Sequence, residues 1–355
     1  MTRIDDPRRI LVIRDGRVGD MLMTTPAIRW LAARYPDARL DVLTGPYGKT
    51  ILEESPEIND LIVYDKNGSP LDKLKIILPL WRRYDLAILF ESSSAYVFLS
   101  WFIRAKYRIG ISRKVNRLLH SHYEWDQGIH TIRNNLGVLA PLLEDEGVPS
   151  TDMALCLTDK DTANARRFLG AQGIRPTDRV VFIQPACAPN ELLRPWPAEH
   201  VAALVDLAVD RLGARVILNA GPREWESLDR VARLAVNEIV VNDTDIRTTA
   251  ALIAASSVVV TPDTGTLHMA VALGVPVVAL FGPSSPANYG PIGSKGDHAV
   301  LHQHFECSPC VFAPVSPARA QCLSQGRADC MQAIAVDDVF DRLASLVQKT
   351  NVSNQ

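Results

Sequence analysis

The sequence lacks a strong excess of either charge, and this already limits the class of partner. Its 355 residues carry 38 Lys and Arg against 40 Asp and Glu, so the formal net charge is −2. General nucleic-acid binders concentrate positive charge, so this balance does not favour one, although a local basic patch remains open. With 47% hydrophobic and 22% charged residues, the composition excludes a disordered or collagen-like chain.

Long apolar runs and abundant cysteine are missing too. The best candidate for a membrane span, Ala87 to Ile103, contains Glu91 and several serines and is shorter than the about 20 residues a span needs. The first residues are charged and unlike a secretion signal. Six cysteines in a chain of this length do not predict a disulfide-stapled scaffold. We therefore expect a cytoplasmic protein.

Several catalytic signatures are also absent from the sequence. It contains no GxGxxG dinucleotide fingerprint, no Walker phosphate loop, no HExxH metal motif and no GxSxG nucleophile elbow. The missing glycine fingerprint argues against a nicotinamide-dependent oxidoreductase.

Short β-branched runs alternate with amphipathic helical patterns along nearly the whole chain. This alternation is typical of βαβ units with parallel sheets, so the expected fold class is α/β. The predicted strands are Arg9–Arg14, Leu40–Thr44, Leu61–Tyr64, Asp85–Phe90, Tyr107–Ile111, Val180–Gln184, Val216–Asn219, Glu238–Val241, Val258–Thr261 and Val277–Phe281. The clearest predicted helices are Met21–Tyr35, Lys73–Arg83, Thr162–Gln172, Ala198–Leu212 and Thr266–Leu273.

The pattern restarts near Gln172–Asp178, where we place a domain boundary. The expected domains are 1–172 and 173–345, followed by a polar tail at 346–355. We expect two doubly wound Rossmann-like domains facing each other across a cleft, with ligands beyond the carboxyl ends of the strands.

A Gly-Asp element follows the first predicted strand. Gly16 and Gly19 allow a tight turn, and Asp20 then falls at the start of a helix. An aspartate there caps the helix and offsets its dipole. A carboxylate at a cleft mouth can equally serve as a general base. The sequence alone leaves both interpretations open.

A second strand-to-helix turn has the character of an anion site. In TPDTGTLHMAVALG the strand ends before Asp263, Gly265 allows close approach of a ligand, and a helix begins near Thr266. Unpaired N–H groups at such a helix start can hold phosphate oxygens, and Asp263 and Thr264 can cap the turn or touch a ligand. His268 lies one turn into the helix, either as a packed histidine or near the same ligand.

Two further loops carry candidate ligand contacts. Arg194, in a Pro-rich loop before Trp196, is either a solvent-exposed arginine or a planar clamp for a diphosphate. Glu224 and Glu226 open a helix after a Gly-Pro turn, where acids suit the helix dipole or can hold ribose hydroxyls.

Charge is asymmetric between Ser92 and Tyr123, where the sequence has no Asp or Glu. A solvated face and a site for an anionic, membrane-attached substrate explain this equally well. The aromatic residues just before the cations are Tyr96, Phe98, Trp101 and Phe102, and the cations are Arg104, Lys106, Arg108, Arg113, Lys114 and Arg117.

Four cysteines, Cys307, Cys310, Cys322 and Cys330, follow one another late in the chain. Four thiolates can hold zinc or an iron centre. Because only the first two form a CxxC pair, free or weakly paired thiols are favoured over a structural metal.

Taken together, these motifs resemble glycosyltransferase family nine, the bacterial ADP-heptose:lipopolysaccharide heptosyltransferases. The matching segments stand in the family's order and extend from about Ile10 to Ile334. They are VGDMLMTTPAIRWLAARYP, YDLAILF, YRIG, RPWP, NAGPREWE, TPDTGTLHMAVALGVPVVALFGPSSP and CSPC…CMQAI. The block DTGTLHMAVALGVPVVALFG is the most specific of these.

The resemblance implies a GT-B fold and an inverting transfer of heptose from ADP-heptose to a Kdo or heptose hydroxyl of an inner-core lipopolysaccharide acceptor. Asp20 matches the family's catalytic aspartate, which makes it the expected general base. The turn from Asp263 to Gly265, with His268, matches the donor-phosphate motif. Arg194 stands where the family usually has lysine, and Glu224 falls near the ribose-binding acid.

The resemblance also implies partners and a division of labour. Residues 1–172 would bind the acceptor, with a weaker assignment of Arg104, Lys106, Arg113, Lys114 and Arg117 to that contact, and residues 173–345 would bind the donor. The leaving diphosphate would be stabilised by Arg194 and the helix start at Thr264–Thr266. No cofactor would be required, and no nucleic acid is expected. The acceptor would be an anionic lipid-linked sugar, reached by transient contact with the inner face of the inner membrane.

Other functions remain open on the sequence alone. The same fold can use a different nucleotide sugar or a protein acceptor. A catalytically silent nucleotide-sugar binding module is a further alternative, against which the intact Asp20 argues.

Overall fold

The structure, a computed structural model, describes residues 6–111, 114–143, 149–185, 193–219, 221, 225–311 and 317–353. The chain divides into two compact units, Met1–Cys156 and Leu157–Gln355. None of the helices within the described ranges combines the length and apolar character needed to cross a bilayer.

The first unit contains a six-stranded, fully parallel sheet in the order β3-β2-β1-β4-β5-β6. Its strands are β1 (Arg9–Ile13), β2 (Arg39–Thr44), β3 (Asp60–Val63), β4 (Leu86–Leu89), β5 (Tyr107–Ile111) and β6 (Ser121–Tyr123). Its helices are α1 (Val18–Leu22), α2 (Thr25–Arg34), α3 (Pro46–Leu52), α4 (Pro70–Ile77), α5 (Ser94–Phe102) and α6 (Thr131–Val138), with short 3-10 turns at Leu78–Leu80, Asn116–Leu118 and Ala140–Leu142.

The second unit repeats this order, with a parallel sheet β12-β11-β10-β7-β8-β9. Its strands are β7 (Val180–Ile183), β8 (Arg215–Asn219), β9 (Val240–Asn242), β10 (Val258–Pro262), β11 (Val277–Phe281) and β12 (His298–His302). Its helices are α7 (Asp159–Ala171), α8 (Ala198–Leu212), α9 (Trp225–Leu234), α10 (Ile246–Ala254), α11 (Gly265–Leu273), α12 (Pro286–Tyr289), α13 (Pro317–Gln325), α14 (Asp329–Gln332) and α15 (Val336–Ser353).

The central strands form the core of each unit because helices cover both faces of a doubly wound sheet. Every residue of β1 from Ile10 to Ile13 has no exposed surface, and the same holds for Leu86 to Leu89 of β4. In the second unit, β10 and β11 are buried along their whole length. Near-continuous runs of Val, Ile and Leu therefore mark these strands, which is why the sequence pattern locates them.

All ten predicted strands are present, and two further strands were missed. β6 and β12 lie at sheet edges, and none of their residues is fully buried. Their sequences, SHY and HAVLH, are short or rich in histidine, so they lack the apolar run that marks a central strand.

The predicted helix at Met21–Tyr35 is two helices, α1 and α2. Pro26 lies in the first turn of α2, where its missing N–H costs nothing and its fixed φ favours a helix start. The residues before it therefore end one helix and open another.

The boundary between the units lies before α7 and not after it, which corrects the expected division at 172/173. Thr158 and Asp161 form a capping box at the start of α7. The Asp161 carboxylate also forms an ion pair with Arg247 of α10, and both side chains are about nine-tenths buried. This contact ties α7 to the second unit.

Arg247→Ala should lower the free energy of unfolding by about 3–5 kcal/mol, because it leaves a buried carboxylate without its cation. Burial alone would raise the pKa of Asp161, but hydrogen bonds from Arg247 and Thr158 outweigh it and hold that pKa below its ordinary value. The pair thus adds stability above about pH 4 and loses it as the pH falls through the lower folded-state pKa. Urea unfolding between neutral and acidic pH checks both effects.

In this experiment the acid-side loss of stability should be shallower in Arg247→Ala than in the wild-type protein. Arg166→Gln, which removes an exposed cation of α7, is the control and should change stability by less than about 0.5 kcal/mol. Equal stability of Arg247→Ala and the wild-type protein would contradict the assignment.

Candidate active site

The candidate residues cluster where each sheet reverses its strand order. Both sheets follow the doubly wound 3-2-1-4-5-6 arrangement, in which ligands bind beyond the carboxyl ends of the two central strands. In the first unit, Asp20 follows β1 and Glu91 follows β4. In the second unit, Gln184 follows β7 and Asp263 follows β10. Each set therefore lies at the ligand-binding edge of its own sheet.

Asp20 is the third residue of α1, and the residue that caps this helix is Arg17. One oxygen of the Asp20 carboxylate, Oδ2, accepts the backbone N–H of Arg17 at 3.1 Å. The other, Oδ1, accepts Nη2 of Arg14 at 2.9 Å. The expected N-cap position is therefore wrong by three residues, but the carboxylate still binds the free N–H at the helix start.

Arg14 holds Asp20 at the sheet edge. The guanidinium is nine-tenths buried and also donates to the carbonyl of Phe90 at the end of β4, so it bridges the two central strands. A methyl group on Gly16 would lie 2.7 Å from Cβ of Asp20, so only glycine leaves room for that side chain. The Asp20 side chain keeps 38% of its surface exposed. It is therefore both anchored and accessible.

Two more carboxylates lie at this edge, and the sequence interpretation missed both. Asp15 accepts the hydroxyl of Tyr96 at 2.8 Å and lies 3.5 Å from Nζ of Lys66. Glu91 is partly buried, and burial raises its pKa while the nearby charge of Arg14 opposes the rise. The available signal was position, because each is an acid within two residues of the end of a central strand.

The strand-to-helix turn that follows β10 in the second unit is built around Asp263. Nη1 of Arg194 donates to the backbone carbonyl of Asp263 at 2.9 Å and lies 3.5 Å from its carboxylate. The two side chains retain only 12% and 6% of their surface, so the solvent-exposed interpretation of Arg194 is wrong. The structure brings these two predicted residues together, with the cation fixed at the start of α11.

Trp196 positions the loop that carries Arg194. Its indole N–H donates to the carbonyl of Ile334 at 3.1 Å, and its ring packs edge-on against His200. Because the ring is 3% exposed, it anchors the loop in the core of the second unit.

His268 is buried on the inner side of α11, with 3% of its surface exposed. Its Nε2 lies 3.9 Å from Oδ1 of Asp263, which is ion-pair distance when the ring is protonated. His268 can therefore be both a packed histidine and a neighbour of the ligand, because it lies next to Asp263, the residue that also holds Arg194.

A chain of polar side chains holds the first turn of α11. Gln184 accepts the hydroxyl of Thr266 at 3.0 Å and the amide of Asn219 at 2.6 Å. Asn219 in turn accepts the amide of Asn242 at 2.7 Å, and Asn242 donates to Thr249 at 2.9 Å. The chain crosses the carboxyl ends of β7, β8 and β9. Each buried polar group is satisfied, so the backbone N–H groups at the start of α11 are held in fixed positions.

The helix start itself offers donors to a ligand. Thr264 caps α11 in an extended conformation, without a side-chain bond to the helix N–H groups. Its hydroxyl instead lies 3.0 Å from that of Thr261. The first N–H groups of a helix have no intrahelical acceptor, and the dipole adds partial positive charge there. The Asp263–Thr266 turn can therefore bind an anion.

The predicted acceptor cations lie at opposite edges of the first sheet. Arg104 and Lys106 precede β5 and so lie at its amino edge, where Lys106 pairs with Asp85 at 2.7 Å. Lys114 follows β5, lies at the carboxyl edge and is exposed, whereas the exposed Arg117 precedes β6, next to Leu118, whose carbonyl accepts Nε of Arg108 near the amino end of β5. Arg113 lies outside the described residues. The predicted set does not form one contact surface.

The ribose contact expected from the sequence rests on Glu224 or Glu226. Glu224 and the side chain of Glu226 lie outside the described residues.

The cysteines of the second unit are free thiols in the described part of the chain. Cys310 and Cys330 are buried, with the backbone N–H of Cys310 donating to the carbonyl of Pro283. Burial, together with the neighbouring thiols, raises the pKa of Cys330 to about 12. Among the described residues, no group of three or more His, Cys, Asp or Glu is arranged to hold a metal ion. The structural-metal alternative for Cys307, Cys310, Cys322 and Cys330 thus has no support.

Comparison with known proteins decides the family. Residues 75–317 match the family described as glycosyltransferase family 9 (heptosyltransferase), which is more than half of the chain. The chain belongs to glycosyltransferase family 9. It is therefore a glycosyltransferase enzyme. A relative, lipopolysaccharide heptosyltransferase 3 of Escherichia coli K12, is 29% identical over 293 residues, covering 77% of this chain and 82% of the relative.

Solved structures support the fold of this family 9 member. The glycosyltransferase family 9 protein from Veillonella parvula DSM 2008 matches with a TM-score of 0.81 at 23% identity, over 96% of this chain and 97% of that one. ADP-heptose lipopolysaccharide heptosyltransferase II of E. coli matches with a TM-score of 0.75 at 24% identity, over 97% and 99%. The predicted α/β class, GT-B with two Rossmann-like domains, is confirmed.

Proposed function

We propose that this glycosyltransferase moves heptose from ADP-heptose to an inner-core lipopolysaccharide acceptor with inversion at the anomeric carbon. The observation that carries the proposal is the Arg194 guanidinium fixed 2.9 Å from the Asp263 carbonyl, at the N-terminus of α11. A buried cation beside a helix start suits a diphosphate. The names of the heptosyltransferase relatives supply the sugar.

The second unit is the proposed donor site. The N–H groups of Gly265 and Thr266 would bind the diphosphate oxygens, with Thr264 at the same turn. Arg194 would neutralise charge that grows as ADP leaves, and His268 and Asp263 would hold the turn and the cation in place. Glu224 keeps its proposed ribose contact from the family resemblance alone. These groups supply positive charge to the leaving group, so the proposed transfer uses no resident metal or other cofactor.

Asp20 is the proposed general base. It would take the proton from the acceptor hydroxyl, and that oxygen would attack the anomeric carbon as the bond to ADP breaks on the opposite face. Arg14 fixes the position of this carboxylate through a 2.9 Å hydrogen bond to Oδ1. The exposed third of the side chain leaves access for a hydroxyl.

The first unit is the proposed acceptor site. Lys114 shares the carboxyl edge with Asp20 and suits the acidic groups of an anionic, lipid-linked sugar, whereas Arg104, Lys106 and Arg117 lie toward the amino edge, too far along the strands to join it. We propose that the protein works at the cytoplasmic face of the inner membrane, where such an acceptor is anchored. A Kdo and a heptose hydroxyl are both compatible with these groups.

The decisive experiment offers purified enzyme a panel of nucleotide sugars with a deacylated inner-core acceptor, with products identified by mass spectrometry. A heptose added from ADP-heptose, and from no UDP sugar, supports the proposal. Transfer of a sugar from another donor, or to protein only, would contradict the proposal and assign that other reaction to the enzyme. ADP-heptose binding without any product would indicate a silent binding module.

A further inference from the structure

Four large aromatic side chains of the first unit face solvent on one stretch of chain. Trp81 follows the 3-10 turn after α4, and Phe98, Trp101 and Phe102 belong to α5. Their exposed fractions are 43%, 51%, 52% and 41% respectively. Single exposed apolar residues are ordinary, but a group of aromatics marks an interaction surface.

Direct contacts join Trp81, Phe102 and Arg104. The Trp81 and Phe102 rings meet edge to face with centroids 5.5 Å apart. The guanidinium of Arg104 lies over the Trp81 ring at 5.1 Å. The backbone N–H of Arg82 donates to the carbonyl of Ile103 at 2.7 Å, which links the end of the α4 segment to the end of α5. We call Trp81, Arg82, Phe98, Trp101, Phe102 and Arg104 the aromatic–cationic surface.

The backbone of the two arginines is unusual. Arg82 and Arg104 have φ of 52° and 53°, in the left-handed region that favours glycine. An L-residue there costs roughly 1 kcal/mol or more relative to glycine. Arginine at these two positions therefore makes the protein less stable than glycine would. This cost indicates that the two charges serve an interaction with another molecule and not the stability of the fold.

The surface carries positive charge with little to balance it. The sequence has no Asp or Glu from Ser92 to Tyr123. The nearby carboxylate of Asp85 is paired with Lys106 at 2.7 Å and also accepts the N–H groups of Arg8 and Arg9. Exposed arginines beside exposed aromatic rings suit an anionic lipid headgroup layer, where aromatic residues enter the interface and cations meet phosphate.

We propose that the aromatic–cationic surface docks the enzyme onto an anionic phospholipid bilayer. Trp101, Phe98 and Phe102 would enter the headgroup region, and Arg82 and Arg104 would contact phosphates. The choice of a membrane rests on the proposed function, because a lipid-linked acceptor is found there. The binding itself needs neither donor nor acceptor.

The aromatic–cationic surface runs along the direction of the strands, and this direction sets how a bilayer would lie against the first unit. In a parallel sheet, each connecting helix returns from the carboxyl edge to the amino edge. The exposed residues Leu71, Leu74 and Leu78 extend the apolar surface along the α4 segment toward the carboxyl edge. A bilayer on this face would thus lie alongside the strands, and the edge carrying Asp20 would open along the membrane surface.

Vesicle sedimentation tests the proposal with the full-length protein. Vesicles of phosphatidylethanolamine with phosphatidylglycerol should bind the wild-type protein, and phosphatidylcholine vesicles should bind it at least about tenfold more weakly. The double variant Arg82→Gly, Arg104→Gly should bind roughly 30-fold more weakly, since each arginine near the surface contributes a fewfold factor. Glycine relieves the left-handed backbone, so this variant should fold at least as well as the wild-type protein.

Two matched controls separate docking from general effects. Trp101→Ser should weaken binding at least about tenfold, whereas Val236→Ser, at an apolar position 90% exposed in the second unit, should not. Arg166→Gln with Arg167→Gln on α7 removes as much charge and should leave binding unchanged.

Three outcomes overturn the proposal. They are absence of wild-type binding to the anionic vesicles, equal binding by the Arg82→Gly, Arg104→Gly variant, and a Trp101→Ser change that alters only self-association in gel filtration. Turnover of a deacylated, water-soluble acceptor should be unchanged in both surface variants. Loss of vesicle binding with turnover intact therefore separates this inference from the proposed reaction.

Discussion

Asp20→Asn should lower kcat by about 10²–10⁴-fold while ADP binding stays within about twofold of the wild-type protein. The substitution removes the group that accepts the proton but keeps an amide oxygen for the backbone N–H of Arg17. The substitution leaves the nine-tenths buried Arg14 facing a neutral amide, so stability should fall by about 1–3 kcal/mol. Steady-state kinetics and ADP titration measure the two effects.

The pH profile distinguishes a base from a residue that only positions Arg14. In the wild-type enzyme kcat/KM should fall at acidic pH as the base becomes protonated, and the residual activity of Asp20→Asn should lack that limb. A positioning role would lower the rate and leave the profile unchanged.

Asp15→Asn and Glu91→Gln are the matched controls, because both carboxylates lie at the same edge of the sheet. Neither should lose more than about tenfold in kcat. Near wild-type turnover by Asp20→Asn, with a large loss in Glu91→Gln, would move the base to Glu91, whose pKa is raised by burial.

Arg194→Ala should weaken ADP binding about 10–150-fold, the range expected when a hydrogen bond to a charged group is lost. The guanidinium is held at the start of α11 by both the carbonyl and the carboxylate of Asp263. The loss in kcat/KM should exceed the loss in affinity, because the leaving diphosphate carries more charge in the transition state than in the bound donor. Isothermal titration and kinetics with ADP-heptose check the two quantities.

Removal of Arg194 also leaves the buried Asp263 without that cation, so thermal unfolding must accompany the titration. Arg194→Lys is the control, since it keeps the charge beside Asp263 and should recover most of the stability and affinity. The ADP affinity that Arg194→Lys does not recover measures the contribution of the planar, bidentate guanidinium of arginine. Unchanged ADP affinity in a folded Arg194→Ala protein would remove Arg194 from the donor site.

The fold was predictable because its signals are local. A buried parallel strand is a short run of Val, Ile and Leu, and the ten predicted strands carry such runs, including the edge strands β3 and β9. The edge strands β6 and β12 do not, because SHY and HAVLH are short or rich in histidine, and none of their residues is fully buried. The domain boundary was misplaced because α7 joins the second unit through the ion pair of Asp161 with Arg247, residues 86 positions apart in sequence.

The candidate site was partly predictable for the same reason. Asp20 and Asp263 each follow a buried strand and open a helix, which the sequence shows directly. Their partners come from distant loops: Arg194 meets Asp263 across 69 residues, and Tyr96 meets Asp15 across 81. The hydrophobic periodicity of a sequence does not predict contacts between residues so far apart in the chain.

Sequence by itself determined the class of fold and the order of strands along the chain, and it located the two strand-to-helix turns that carry the candidate site residues. Hydrophobic periodicity and Gly-containing strand ends are properties of neighbouring residues. Only the tertiary structure decided which charges meet. It buried Arg194 against Asp263, bridged β1 and β4 through Arg14, and moved Arg104 to the sheet edge opposite Asp20. The physical reason is that the pairing of parallel strands, and the helices that connect them, decide at which edge of the sheet each side chain lies. Residues far apart in sequence can therefore meet at one edge.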